Sequence, residues 1–287
     1  MTSGTLKHCA AQALSEWEVT KMSVHTQPGH LKVDETNGIV TIHICNPARF
    51  NAMSLSMWEQ MAVIVAQAER STTTRALVLA GEGDRAFMSG ADISEFGRLR
   101  NDPEQIARYG LAVNNAQNAL SETRHPTIAV IRGICMGGGM GLSLACDLRY
   151  CTDDSRFRMP AAKLGLGYAR PGVQRMREVL GSARTTELFM TARTFDGIEA
   201  ARIGMVHEVF ARASFDQSVA ERIAAVSGNA PLTITAAKLA LRHLAGGENA
   251  PSSSEVDAAT DACFLSQDYQ EGQQAFRDKR PPAFNGR

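Results

Sequence analysis

The chain has 287 residues, 44% hydrophobic and 21% charged, the balance of an ordinary globular protein with one large domain or a core plus an appendage. Lys and Arg together number 30 and Asp and Glu 30, so no net charge points to nucleic acid or an anionic membrane as a partner. No apolar run approaches the ~18 residues of a membrane span, and the 6 cysteines form no CxxC pair, which reads as buried thiols in a reducing, cytoplasmic setting.

Residues 1–30 have neither the apolar segment of a secretory signal nor any arginine. They read as a mobile extension, with a short amphipathic helix near residues 8–18 as the alternative. "LKVDETNGIVTIHICN" predicts two strands joined at Asn37-Gly38. "SLSMWEQMAVIVAQAER" carries apolar residues at helical spacing behind a Ser54 cap. "RALVLAG" and "TIAVIRG" predict short strands with a helix over 103–123 between them, and "LACDLRYC" reads as a further strand. Strands and helices alternate in this way to about residue 195. From Ile198 onward the pattern is almost wholly helical, over 213–227, 231–244 and 252–279, which sets a boundary near residue 200.

Two glycine-rich loops interrupt the alternating part. In "LVLAGEGDRAFMSGADISEF", Gly81-x-Gly83-x-x-Ala86 matches a dinucleotide fingerprint only formally, because "AFMSGADI" looks extended where a helix should open. The second loop, "RGICMGGGMGLSLACD", leaves a strand and enters a helix whose first N–H groups have no intrahelical acceptor. A helix-interior glycine costs about 1 kcal/mol relative to alanine, so Gly137, Gly138, Gly139 and Gly141 need a reason. One is close packing of small residues. The other is chemical: two loops converging on one oxygen supply backbone donors for an enolate or tetrahedral oxyanion.

At this point the chain resembles the crotonase, or enoyl-CoA hydratase/isomerase, superfamily over about residues 31–287. The stretches that carry the likeness are "NPARFNAM", "GEGDRAFMSGADISEF", "HPTIAVIRGICMGGGMGLSLACDLRYC", "RFRMPAAKLGLGY", "TARTFDGIEAARIGMVHEVF" and "EGQQAFRDKRPPAF". The resemblance implies an α/β spiral of ββα repeats followed by a C-terminal helical region that builds homotrimers or hexamers. It implies an acyl-CoA thioester as substrate, with coenzyme A entering as part of that substrate and no metal or redox cofactor. The oxyanion donors carry over to the backbone N–H groups of Ala91 and Gly138, beside Gly137. Ala48, Arg49, Phe50, Asp92 and Ile93 would flank the coenzyme. Phe276 and Lys279 match positions that reach it from a neighbouring subunit.

The chain departs from the hydratases where it matters most. Their two glutamates are replaced by Gly141 in "GGGMG" and Ala161 in "FRMPA", and neither can act as acid or base. The dehalogenase branch needs an aspartate near Ala169, which is absent. Asp147, Glu95 and His125 are the nearest titratable groups by sequence, each with a plain structural reading. "LGLGY" is similar to the "LGxPY" stretch of methylmalonyl-CoA decarboxylases, where a tyrosine at the position of Tyr168 sits by the carboxylate-bearing end of the acyl group. Lys163 or Arg170 could assist it, although those decarboxylases carry histidine in place of Ala91. Three functions follow: a family enzyme working through an enolate without the usual glutamates, a decarboxylase of a malonyl-type thioester using Tyr168, and a non-catalytic acyl-CoA-binding protein.

Overall fold

Asn37 and Gly38 both take positive φ, 53° and 75°, the backbone that a two-residue hairpin turn demands. The turn joins β1 (His30–Thr36) to β2 (Ile39–Cys45), paired antiparallel from His30↔Cys45 to Thr36↔Ile39. The computed structural model describes residues 29–95, 97, 102–247 and 249–287. The extension expected over 1–30 lies outside them apart from its last two residues, and His30 already belongs to β1. Helix α1 (Leu55–Glu69) begins behind Ser54, whose side chain accepts a hydrogen bond from the Met57 N–H, and it buries Met57, Trp58, Met61 and Val65.

From β3 onward one unit repeats three times, two strands and then a helix. β3 (Ala76–Gly81) and β4 (Ala86–Met88) precede α2 (Pro103–Glu122). β5 (Thr127–Ile131) and β6 (Ile134–Met136) precede α3 (Gly138–Leu144). β7 (Leu148–Thr152) and β8 (Arg156–Arg158) precede α4 (Arg170–Thr191). The first strand of each unit joins one sheet, ordered β1-β2-β3-β5-β7 and closed by β10 (Glu208–Phe210), and the second joins another, ordered β4-β6-β8 and closed by β9 (Thr194–Asp196). Because β3, β5 and β7 pair in parallel, as do β4, β6 and β8, each unit stacks on the last as a turn of a spiral. That is the α/β spiral of ββα repeats the sequence leads one to expect.

As expected, no helix opens after Gly83; β4 starts at Ala86 instead, which removes the dinucleotide reading. Three differences are local. In "LACDLRYC", α3 ends at Leu144 and the strand begins only at Leu148, because the Asp147 carboxylate is tied to Thr127. Past residue 200, β10 (Glu208–Phe210) still pairs in parallel with β7. After it, α6 (Phe215–Ser227) buries Phe215 and Val219 against Val78, Ile128 and Tyr150. The expected helix over 252–279 is two, α8 (Ser253–Leu265) and α9 (Gln267–Asp278). Ser266 is extended there (φ −79°, ψ 156°) and its hydroxyl accepts from the Tyr269 N–H, so it caps the second helix. Between α6 and α8 lie α7 (Pro231–Ala245) and a short loop; β9 (Thr194–Asp196) and α5 (Gly197–Arg202) precede β10.

The main core lies between the sheets and α1–α4 and includes Trp58, Phe87, Met88, Met140 and Phe157. It brings the end of β4, the start of α3 and the loop before α4 to one place.

Candidate active site

Gly137 caps α3 with φ at 51°, and its N–H donates to the Arg158 carbonyl at 2.9 Å. A Cβ on Gly139 would lie 2.2 Å from the Met88 carbonyl oxygen, closer than any side chain allows. These two glycines therefore let α3 start against the end of β4. Gly138 is the first helical residue, and its N–H has no acceptor among the described residues.

Ala91 forms a parallel bridge with Met53: the Met53 N–H donates to Gly90 O, and the Asp92 N–H donates to Met53 O, both at 2.9 Å. That pattern turns the N–H of Ala91 itself to the opposite side of the chain, where it too has no partner among the described residues. Ala91 and Gly138 line one cavity of about 200 Å³ together with Trp58, Gln117, Ala161 and Tyr168. Among the described residues no Asp, Glu, His, Lys or Arg side chain lines it.

Of the two positions where the resemblance puts the hydratase glutamates, Ala161 lines this cavity and Gly141 lies against two of its lining side chains. Ala161 is buried in its wall. A Cβ on Gly141 would lie 2.7 Å from the Tyr168 hydroxyl and 2.8 Å from Gln117 Nε2, so those two polar ends occupy the ground a glutamate needs. Tyr168 sits in the loop just before α4, and its ring meets Phe189 edge-on at 5.2 Å. Its hydroxyl makes no hydrogen bond to another described residue. Burial pushes its pKa up to about 12 against a smaller opposing effect of Arg175, so it is a neutral O–H at physiological pH. The other tyrosine of the cavity, Tyr109, is engaged: Trp58 Nε1 donates to its hydroxyl at 3.1 Å, and the hydroxyl reaches the Met53 carbonyl at 3.4 Å.

The other expected residues divide. Gly137 and Ile93 belong to the site, Gly137 in the wall and Ile93 at 65% exposure on the rim. Asp92 is buried and laces its own loop, accepting from Arg49 Nη1 at 2.6 and 2.7 Å, from the Ser94 hydroxyl at 2.7 Å and from the Ser94 N–H at 3.0 Å. Burial raises its pKa, but the Ser94 and Arg49 hydrogen bonds outweigh that and hold it below the usual value. Arg49 is thus engaged with Asp92. Phe50 lies under the Arg85 guanidinium at 4.6 Å, and Ala48 lines a separate cleft with Lys32 and Glu82. Phe276 is 86% exposed on α9, with Lys279 just beyond it as the C-cap, and neither lines the cavity.

The titratable alternatives take structural roles. Asp147 accepts from the Thr127 N–H and hydroxyl and from Lys238 Nζ, at 2.7, 2.9 and 2.6 Å. Glu95 accepts from the Leu55 N–H at 2.8 Å, at the start of α1. His125 bonds the Ala68 carbonyl at 3.1 Å, and burial lowers its pKa. Lys163 and Arg170 do not line the cavity. Met57, Met61, Met88 and Met140 are buried in the core, Met136 is half-buried, and Met159 lines the cavity. Cys45, Cys135, Cys146 and Cys151 are buried free thiols, as expected, whereas Cys263 is a free thiol that is only half-buried; Cys9 lies outside the described residues. Among the described residues no group of three or more His, Cys, Asp or Glu could hold a metal ion, and no helix is long and apolar enough to cross a membrane.

Sequence reasoning missed Gln117 and Arg175. The signal for Gln117 was available: it is a polar residue on the α2 face that buries Tyr109, Ala116 and Leu120.

A family model described as enoyl-CoA hydratase/isomerase matches residues 34–287. The chain belongs to this family. It is 25% identical over 248 residues to the short-chain-enoyl-CoA hydratase of Clostridium acetobutylicum, covering 86% of this chain and 94% of that one. It is 28% identical over 265 residues to the peroxisomal Delta(3,5)-Delta(2,4)-dienoyl-CoA isomerase of Arabidopsis thaliana, covering 88% and 95%. The crystal structure of an enoyl-CoA hydratase/carnithine racemase from Magnetospirillum magneticum superposes with a TM-score of 0.84 at 32% identity, covering 90% of this chain and 96% of that one. Relatives of such different reactions establish the crotonase fold and family without choosing the chemistry.

Proposed function

We propose that this protein is an enzyme that acts on an acyl-CoA thioester through an enolate held by the backbone N–H groups of Ala91 and Gly138. The observation that carries the reading is the pair of N–H groups without partners among the described residues, on two loops that line one cavity. A thioester carbonyl placed between them gains two hydrogen bonds that strengthen as negative charge moves onto its oxygen. Gly138→Pro tests it, because proline is tolerated at the first position of a helix yet brings no N–H. Turnover falls by about 10²–10³-fold, the loss typical of one oxyanion donor, while the circular dichroism spectrum is retained. Wild-type turnover in a folded Gly138→Pro variant would falsify the assignment.

A second reading concerns the reaction, and the cavity's lack of carboxylates among the described residues favours it. Hydration needs a base to activate water. Decarboxylation of a malonyl-type thioester does not: the electron pair of the C–CO₂ bond moves to Cα as CO₂ leaves, and the enolate forms directly. The Tyr168 O–H orients the departing carboxylate and then delivers the one proton that Cα takes up, and solvent water reprotonates the phenolate. A non-catalytic acyl-CoA binder would hold the thioester and release nothing.

Coenzyme A enters with the substrate, with Ile93, Asp92 and the 48–50 loop along its path. Phe276 and Lys279 stand outside the cavity of their own chain, so their place in this reading is the coenzyme of a neighbouring subunit in a homotrimer or hexamer.

A further inference from the structure

Gln117 is 2% exposed, and its amide has one orientation available. Arg175 Nη1 lies 2.8 Å from Gln117 Oε1, and a guanidinium only donates, so the amide oxygen faces Arg175 and Nε2 faces the cavity. The other arm of the fork, Nη2, donates to Asn118 Oδ1 at 3.1 Å, which fixes the guanidinium as well. Arg175 makes no ion pair among the described residues, although Glu178 and Glu122 act on it from further away. Its guanidinium lies directly behind the Gln117 amide. Nε2 makes no hydrogen bond to another described residue, and it ends beside the Tyr168 hydroxyl, in the space that a Gly141 side chain would otherwise take.

We propose that Gln117, oriented by Arg175, is a specificity-determining residue that selects acyl groups bearing a carboxylate over plain alkyl or enoyl groups. The inference rests on the acyl-CoA reading above and names the class of acyl group. Two N–H donors and an O–H converge on one end of a cavity that no carboxylate of the described residues lines to repel an anion. A carboxylate satisfies all of them. An alkyl chain leaves the Gln117 N–H groups buried and unpaired, and sites built around polar groups reject such ligands strongly. Gln117 positions and selects; it does not enter the bond-breaking step.

The test uses two CoA thioethers that cannot decarboxylate, carboxyethyl-CoA and propyl-CoA, which differ only in a terminal carboxylate against a methyl. Calorimetry gives the dissociation constant of each for the full-length protein. The wild type binds carboxyethyl-CoA at least about tenfold more tightly than propyl-CoA, the scale of a hydrogen bond to a charged group. Gln117→Met removes that preference. Gln117→Glu, which can pair with Arg175 and so keeps the fold, reverses it. Equal binding of both thioethers by the wild type, or an undiminished preference in either folded variant, overturns the inference alone. Binding of neither overturns the acyl-CoA reading with it. A preference in the wild type that Gln117→Met abolishes, without CO₂ release from any malonyl-type thioester, upholds the selection and removes only the decarboxylation.

Discussion

At the residue scale the glycines of the 137–141 run answer to two different demands. Gly139 is structural: its missing Cβ makes room for a backbone carbonyl, which cannot move without displacing β4. Gly141 is different, since its missing Cβ makes room for the far ends of two flexible side chains, Tyr168 and Gln117. The two alanine substitutions therefore separate. Gly139→Ala lowers stability by about 2 kcal/mol or more, an overpacking cost, and shows as a lower Tm. Gly141→Ala leaves Tm nearly unchanged but lowers kcat/KM at least about tenfold, because Tyr168 or Gln117 must shift away from the acyl group. Paired melting curves and kinetics check both. The sequence alone shows four glycines, one of them where the resemblance puts a glutamate; it does not show that a tyrosine from residue 168 and a glutamine from residue 117 reach that place, because three chain segments distant in sequence meet there.

At the scale of elements, short-range signals were the legible ones. The Asn37-Gly38 turn, the Ser54 cap and the apolar periodicity of α1 all act within a few residues, and the structure follows them. Signals that depend on partners were not legible. β10 is a three-residue strand that exists because β7 offers an open edge, and periodicity cannot register a strand that short. The break between α8 and α9 was hidden for the opposite reason: both helices are strong, and only Ser266 marks the join. Ser266→Ala removes the hydroxyl that accepts the Tyr269 N–H and leaves a helix start uncapped. The expected loss is about 1 kcal/mol of stability in urea unfolding, with activity of the folded protein unchanged. An unchanged unfolding midpoint would mean that the cap is not holding the break.

For the whole molecule, the spiral explains why the site lies where it does. Each turn delivers the end of a short strand to the same edge, so the loop after β4 and the start of α3 arrive side by side although 47 positions separate Ala91 from Gly138. The fold is shared with hydratases and isomerases alike, and the difference rests in what projects into one small cavity. Here the polar groups are the Asn114 and Gln117 amides, the Ser89 hydroxyl, the phenols of Tyr109 and Tyr168 and the backbone, among apolar side chains and with no carboxylate among the described residues. Motifs made the fold legible in the sequence, and with it the two loops whose N–H groups the proposed oxyanion hole uses. Asp92 and Arg49 were legible as neighbours of the site but not as partners of each other, since an ion pair across 43 positions leaves no local trace.

The most direct test of this account gives the purified protein methylmalonyl-CoA and crotonyl-CoA in separate assays, following CO₂ release from the first and loss of the enoyl chromophore from the second. The account predicts CO₂ release that Tyr168→Phe abolishes, and no hydration of crotonyl-CoA. Rapid hydration of crotonyl-CoA without CO₂ release from methylmalonyl-CoA would contradict it, because it would require a base that the described cavity does not contain.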